Sequence, residues 1–114
     1  MIVILTQDLM MSSSANAVAR AQGVVLKSVS SLEKLLQLIA DGEVTLVLVD
    51  LQMRGLQLAE FHVSWQSLDP VHRPRSVAYA QHVELELLKG ARAMGFDEVL
   101  TRGQVSGGLP ALFA

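Results

Sequence analysis

Charged side chains follow several apolar runs of this sequence. The run 44–49 leads directly into Asp50, and a carboxylate in that position is costly unless it is paired or used. Asp8 follows an apolar run near the N-terminus, and Arg102 follows one near the C-terminus. If the runs are parallel strands, their carboxyl ends share one edge, where two carboxylates and one guanidinium converge on a single crevice. This pattern indicates either a structural role, with Asp50 capping a turn or pairing with Arg102, or a reaction site at Asp50.

The predicted strands and helices, which must position these residues, alternate along the chain. The apolar runs lack the polar alternation of half-exposed strands, which indicates strands buried on both faces. Between them apolar residues recur at helical spacing, as at Leu32, Leu35 and Ile39, and we expect only a short last helix after Gly103. A βαβαβαβαβ order predicts a parallel sheet between two layers of helices. The predicted strands are residues 2–5, 24–26, 44–49, 76–80 and 97–101.

The fold class follows from this order and from the length of the chain. One α/β domain spanning residues 1–114 is expected, with no linker and no internal repeat. Five strands of this length favour a three-layer, doubly wound, flavodoxin-like sheet with strand order 2-1-3-4-5. That order puts the functional crevice outside the carboxyl ends of strands 1 and 3.

Serines mark two predicted helix starts. Ser12, Ser13 and Ser14 are expected to cap the first helix, and Ser30 forms a capping box with Glu33 at the second. Because a helix N-terminus also favours anions, the three consecutive serines are the candidate residues of an anion-binding site. No glycine-rich phosphate loop accompanies them, so capping is the favoured interpretation and the anion site is the alternative.

Composition excludes several classes of function. Nine Lys and Arg against eleven Asp and Glu give a net charge of −2, which leaves no basic excess for nucleic acid. The absence of cysteine excludes a disulfide scaffold, a thiolate zinc site and a cysteine nucleophile. The apolar runs are too short for a membrane span, and the N-terminus lacks a basic signal region, so we expect a cytoplasmic protein. No nucleophile elbow is present, and the sequence does not predict an enzyme.

From residue 1 to about Gly103, the chain resembles the receiver domain of two-component response regulators. That family has an acidic pair after strand 1, a phospho-accepting Asp after strand 3, a Thr or Ser after strand 4 and a Lys-Pro after strand 5. The resemblance places Asp50 at the phospho-acceptor and Asp8 at the second acid, and the segment from Asp50 to Met53 resembles the loop that follows the acceptor. It implies Mg²⁺ as an optional metal, with Asp8, Asp50 and the carbonyl of Gln52 as the matching ligands.

The departures from the family pattern fall on the positions that carry its chemistry. Gln7 replaces the first acid, and Ala80 stands where a hydroxyl would hydrogen-bond the phosphoryl group. Arg102 replaces the lysine, keeping the charge but not the compact ammonium, and Gly103 replaces the proline. These changes are typical of a degenerate receiver. They imply a pseudo-receiver that takes part in signalling by binding a protein partner, a histidine kinase or a downstream effector, and is phosphorylated weakly or not at all.

Three other interpretations stay open. The first is a single-domain response regulator in a phosphorelay, accepting phosphate on Asp50 with Mg²⁺. The second is a small flavodoxin-like domain that binds an anionic ligand at Ser12, Ser13 and Ser14. The third is a subunit of an assembly, a homodimer included, because the segment 109–113 is apolar enough for docking.

Overall fold

The computed structural model describes residues 1–114 and contains five strands and five helices in strict alternation. None of the helices is both long and apolar enough to cross a membrane. The strands are β1 (Ile2–Leu5), β2 (Leu26–Val29), β3 (Leu46–Asp50), β4 (Arg75–Ala80) and β5 (Glu98–Thr101). The helices are α1 (Leu9–Ala21), α2 (Leu32–Ala40), α3 (Leu58–Gln66), α4 (Leu85–Arg92) and α5 (Arg102–Phe113).

The strands form one parallel sheet in the order β2-β1-β3-β4-β5, which confirms the predicted flavodoxin-like fold class. Each strand returns to the sheet through a helix, as a parallel connection requires. The carboxyl ends of β1 and β3 therefore lie side by side, with that of β4 next to them. The order of the strands thus brings the loops that follow them to one edge of the sheet.

The sheet has a separate apolar layer on each face, because successive side chains of a strand point to opposite sides. Val3 and Val47 face one layer, which packs against α2, α3 and α4, and there Phe61 stacks on Trp65 with ring centroids 5.3 Å apart. Ile4 on the other face packs against α1 and α5. Both layers are mainly aliphatic, as the low aromatic content predicts.

The first helix begins earlier than predicted. Asp8 is its N-cap, and the Asp8 Oδ1 atom accepts hydrogen bonds from the N–H groups of Met10 at 3.0 Å and Met11 at 3.1 Å. The prediction that Ser12, Ser13 and Ser14 cap α1 is therefore wrong, because these serines lie inside the helix. The free N–H groups of a helix lie in its first turn, so these serines do not form the helix N-terminus on which the anion-site alternative was based.

Three other boundaries differ for identifiable reasons. The cap of α2 is Ser31, which accepts the N–H of Lys34, rather than Ser30. Strand β2 begins only at the last residue of the apolar run 24–26, because it is an edge strand with polar, exposed residues at its centre. The last helix is twelve residues long rather than short, because a capping box of Thr101 and Gln104 starts it and its apolar face is buried.

The start of α5 gives a direct test of this capping assignment. Thr101→Ala removes the hydroxyl that accepts the Gln104 N–H at 3.1 Å, and we expect a loss of about 1 kcal/mol in the free energy of unfolding. Denaturant unfolding followed by the fluorescence of Trp65, the single tryptophan, measures it. The control Ser13→Ala removes an exposed hydroxyl inside α1 and should be neutral or slightly stabilising. A larger loss for Ser13→Ala than for Thr101→Ala would contradict both assignments.

Candidate functional site

A cleft of about 340 Å³ lies at the carboxyl edge of the sheet, between the loops that follow β1, β3 and β4 and the start of α5. Its walls are mostly polar, with two carboxylates and two guanidinium groups among them. The lining residues are Gln7, Asp8, Asp50, Gln52, Met53, Arg54, Tyr79, Gln81 and Arg102. The topology thus brings Asp8, Asp50 and Arg102 to one crevice, as the strand order requires.

Asp50 is the last residue of β3 and is only 9% exposed. The Thr6 hydroxyl donates a hydrogen bond to its Oδ2 atom at 2.6 Å, and the Gln52 N–H donates one to its Oδ1 atom at 2.9 Å. Leu5 is paired with Val49 in the parallel ladder, so Thr6 comes level with Asp50. A hydroxyl, rather than a second carboxylate, is therefore the nearest polar partner of Asp50.

Arg102 forms an ion pair with Asp8, through a hydrogen bond from its Nη1 atom to the Asp8 Oδ2 atom. The expected pairing of Arg102 with Asp50 is therefore wrong. Both side chains of the pair are partly buried, with 35% of Arg102 and 27% of Asp8 exposed. Because Asp8 caps α1 and Arg102 is the first residue of α5, the pair joins the N-terminal ends of the two helices.

The end of β4 contributes backbone rather than a side chain to the site. Ala80 is 1% exposed and belongs to the apolar layer on the side of α2, α3 and α4, so it does not line the cleft. The N–H of the next residue, Gln81, donates to the Gln52 Oε1 atom at 2.7 Å. That hydrogen bond fixes the loop after β3 to the loop after β4.

In this arrangement protein donors engage both carboxylates of the cleft, instead of leaving them free for a magnesium ion. Mg²⁺ requires an octahedron of oxygen ligands and usually takes one or two carboxylates. Here every carboxylate oxygen of Asp8 and Asp50 already accepts a hydrogen bond, and a guanidinium occupies the outer oxygen of Asp8. The side-chain oxygen of Gln52 accepts the Gln81 N–H, which leaves the main-chain carbonyl of Gln52 as the ligand that the resemblance implies. No group of three or more His, Cys, Asp or Glu side chains in the chain is arranged to hold a metal.

Tyr79 is a residue of the site that the sequence reasoning missed. It is paired with Asp50 across β3 and β4, is 1% exposed, and its hydroxyl is buried without a hydrogen-bond partner. Burial, reinforced by the negative charge of Asp50, raises the pKa of the Tyr79 phenol well above its ordinary value. The sequence did contain a signal for this residue: a tyrosine lies within an apolar predicted strand, and a buried phenol normally needs a polar partner.

Comparison with known proteins defines the fold. No protein-family model matches the sequence, and no curated protein matches it. A signal receiver domain from Bermanella marisrubri is similar to this chain, with a TM-score of 0.81 at 15% identity over 97% of this chain and 92% of the other. A response regulator in red light signalling of R. palustris has a TM-score of 0.76 at 16% identity, over 98% of this chain and 90% of the other.

NtrX from Brucella abortus has a TM-score of 0.79 at 15% identity; the match covers 97% of this chain but only 25% of the NtrX chain. The chain thus has the fold of response-regulator receiver domains. The resemblance that the sequence suggested is confirmed at the level of the fold.

The raised pKa of Tyr79 gives a pH-dependent stability. The folded state keeps the phenol proton at a pH where the unfolded chain loses it, so the free energy of unfolding falls as the pH rises above about 10. We expect Tyr79→Phe to remove this part of the alkaline decline. It should also cost little at neutral pH, because the lost hydroxyl has no partner.

The measurement is denaturant unfolding of both proteins at a series of alkaline pH values. Tyr79 is the only tyrosine, so the ultraviolet absorbance of tyrosinate reports its ionisation alone. Ionisation of the folded protein near pH 10, or equal alkaline slopes for the two proteins, would contradict the burial of this phenol.

Proposed function

We propose that this chain is a pseudo-receiver, a signalling module that binds a protein partner and does not readily accept a phosphoryl group on Asp50. The observation that carries the proposal is the ion pair between Arg102 and Asp8. It places the cation and the second carboxylate of the cleft in mutual contact instead of leaving them free for a phosphoryl group and a metal.

The hydrogen bonds of Asp50 support this proposal. Phosphoryl transfer depends on positioning and on electrostatic stabilisation of the transition state, so the acceptor needs an available oxygen. Thr6 and Gln52 together occupy both oxygens of Asp50. Attack by the Oδ2 atom would break a short hydrogen bond to a buried hydroxyl, and Asp8 is not free to hold an assisting metal ion while it is paired with Arg102.

The third argument concerns what would stabilise the transferred group. In receiver domains a hydroxyl after strand 4 is expected to contact it, and here Ala80 has no hydroxyl and lies outside the cleft. One missing preorganised donor costs roughly 3–4 kcal/mol of transition-state stabilisation in other enzymes. Acceptance at Asp50 should therefore be slow even with a reactive phosphodonor.

The partner in this proposal is a protein of a two-component system, either a histidine kinase or a downstream effector. The fold, which resembles that of a response regulator in red light signalling, supports this class of partner. We further infer a cytoplasmic module without enzymatic activity. A homodimer is the alternative partner, and size measurement in solution distinguishes it from a hetero-complex.

One observation favours a second function, a phosphorylatable regulator that uses Mg²⁺. Asp50 ends the central strand and lines an open cleft, as an acceptor carboxylate must. This function requires Arg102 to leave Asp8, so that both carboxylates face the metal. The two functions therefore differ in whether Asp50 accepts a phosphoryl group in the presence of Mg²⁺, and this can be measured.

The first test exposes the protein to acetyl phosphate or beryllofluoride with Mg²⁺. We expect no adduct on Asp50 by intact mass, and no change of its amide signals by NMR. Asp50→Asn is the control, because any modification that persists in it lies elsewhere. A stoichiometric adduct that disappears in Asp50→Asn would overturn the pseudo-receiver proposal in favour of the regulator.

The second test restores the family pattern. A variant with Gln7→Asp, Ala80→Thr and Arg102→Lys supplies the missing acid, hydroxyl and ammonium, and we expect it to gain Mg²⁺-dependent modification on Asp50. The same variant with Asp50→Asn is its matched control, and the fluorescence of Trp65 verifies that each protein is folded. A folded variant that remains unmodified would show that these positions are not what blocks the reaction.

A further inference from the structure

Helix α5 has a sequence that disfavours a helix. Gly107 and Gly108 lie in its middle, and a Cβ atom added at either position would meet nothing within 4 Å. Neither glycine is therefore required by packing, although each weakens a helix relative to alanine. Pro110 also lies inside α5, where it lacks the N–H that would donate to the carbonyl of Ser106.

The other helices do not share this property. α1, α2 and α3 contain no glycine or proline. α4 contains a single glycine, Gly90, where an added Cβ would make an ordinary contact with the Leu58 side chain at 3.8 Å, and it contains no proline. The weak intrinsic helicity of α5 is thus a local feature of this element.

What holds α5 in place is tertiary contact. Val105, Leu109 and Phe113 recur at intervals of four residues and are buried against the layer that contains Leu48 and Tyr79. Because a helix of poor propensity gains most of its stability from such packing, α5 should be stable only while it is docked on the sheet.

Two polar contacts fasten α5 to α1, one near each end. At the N-terminal end Arg102 pairs with Asp8, the cap of α1. Towards the C-terminal end the Gln22 Nε2 atom donates to the carbonyl of Pro110 at 2.9 Å, and Gln22 is the C-cap of α1. The first contact lies in the cleft, so anything that binds Asp8 or Arg102 there acts directly on the docking of α5.

We propose that α5 is a releasable helix whose docking is controlled by the ion pair of Arg102 and Asp8. A partner or ligand that takes either side chain weakens the hold on the N-terminal end of α5. This increases the population of a detached state of the helix, in which the apolar layer beneath Val105, Leu109 and Phe113 is uncovered. This inference is independent of the proposed function, because it holds whether or not Asp50 accepts a phosphoryl group.

Hydrogen exchange of the intact protein, measured peptide by peptide with mass spectrometry, tests the proposed release of α5. In the wild type we expect the α5 amides to exchange faster than those of α1 and α2, through opening of α5 alone. Arg102→Gln should speed α5 exchange about two- to fivefold, as expected for the loss of a partly exposed ion pair. Arg92→Gln, at an exposed arginine that ends α4, is the matched control and should leave α5 unchanged.

The double variant Gly107→Ala/Gly108→Ala tests the weakness of α5 without removing any contact. Replacing these two helical glycines by alanine should slow α5 exchange about twentyfold while α2 and α3 keep their wild-type rates. Equal protection of α5 and α1 in the wild type would overturn the proposal. So would a change that spreads equally over all helices in either variant, since that indicates global unfolding.

Discussion

The ion pair of Arg102 and Asp8 is the interaction on which the rest of the site depends. It connects the start of α5 to the start of α1 across the open edge of the sheet. Because Arg102 lies with Asp8, Asp50 is satisfied by uncharged donors, the Thr6 hydroxyl and the Gln52 N–H. The planar guanidinium suits a carboxylate partner better than a lysine would, and it pairs with Asp8 rather than with Asp50.

Much of the fold was predictable because buried strands and helices have recognisable patterns of apolar residues in the sequence. Strands covered on both faces read as unbroken apolar runs, and their alternation with helices determines a parallel sheet. The elements that were placed wrongly are those that depend on helix capping or on the position of a strand within the sheet. Asp8 starts α1 ahead of three serines that look equally suited, and β2 is polar because it is at the edge. The length of α5 depends on its cap, Thr101, and on its buried apolar face. The glycines and the proline of this segment hide that face from sequence-based prediction, because they disfavour a helix.

The candidate site was predictable in its location but not in its pairings. The strand order alone brings Asp8, Asp50 and Arg102 to one edge, whereas the choice of Asp8 over Asp50 as the partner of Arg102 depends on side-chain reach. Thr6 carries no signal in the sequence, since a threonine after an apolar run is common and its importance comes from the register with β3. The wall of the cleft thus has the receiver fold, whereas several of its side chains differ from the family pattern, and a fold does not by itself determine a function.

The measurement that addresses the central claim most directly is a Mg²⁺ titration followed by residue-resolved NMR. If Arg102 and Thr6 occupy the carboxylates as described, the amide signals of Asp8, Asp50 and Gln52 should stay in place as the ion is added, apart from small changes that monovalent salt reproduces. Saturable shifts centred on these three residues, absent in Asp50→Asn, would mean that the cleft opens to a cation and that the ion pair does not close it.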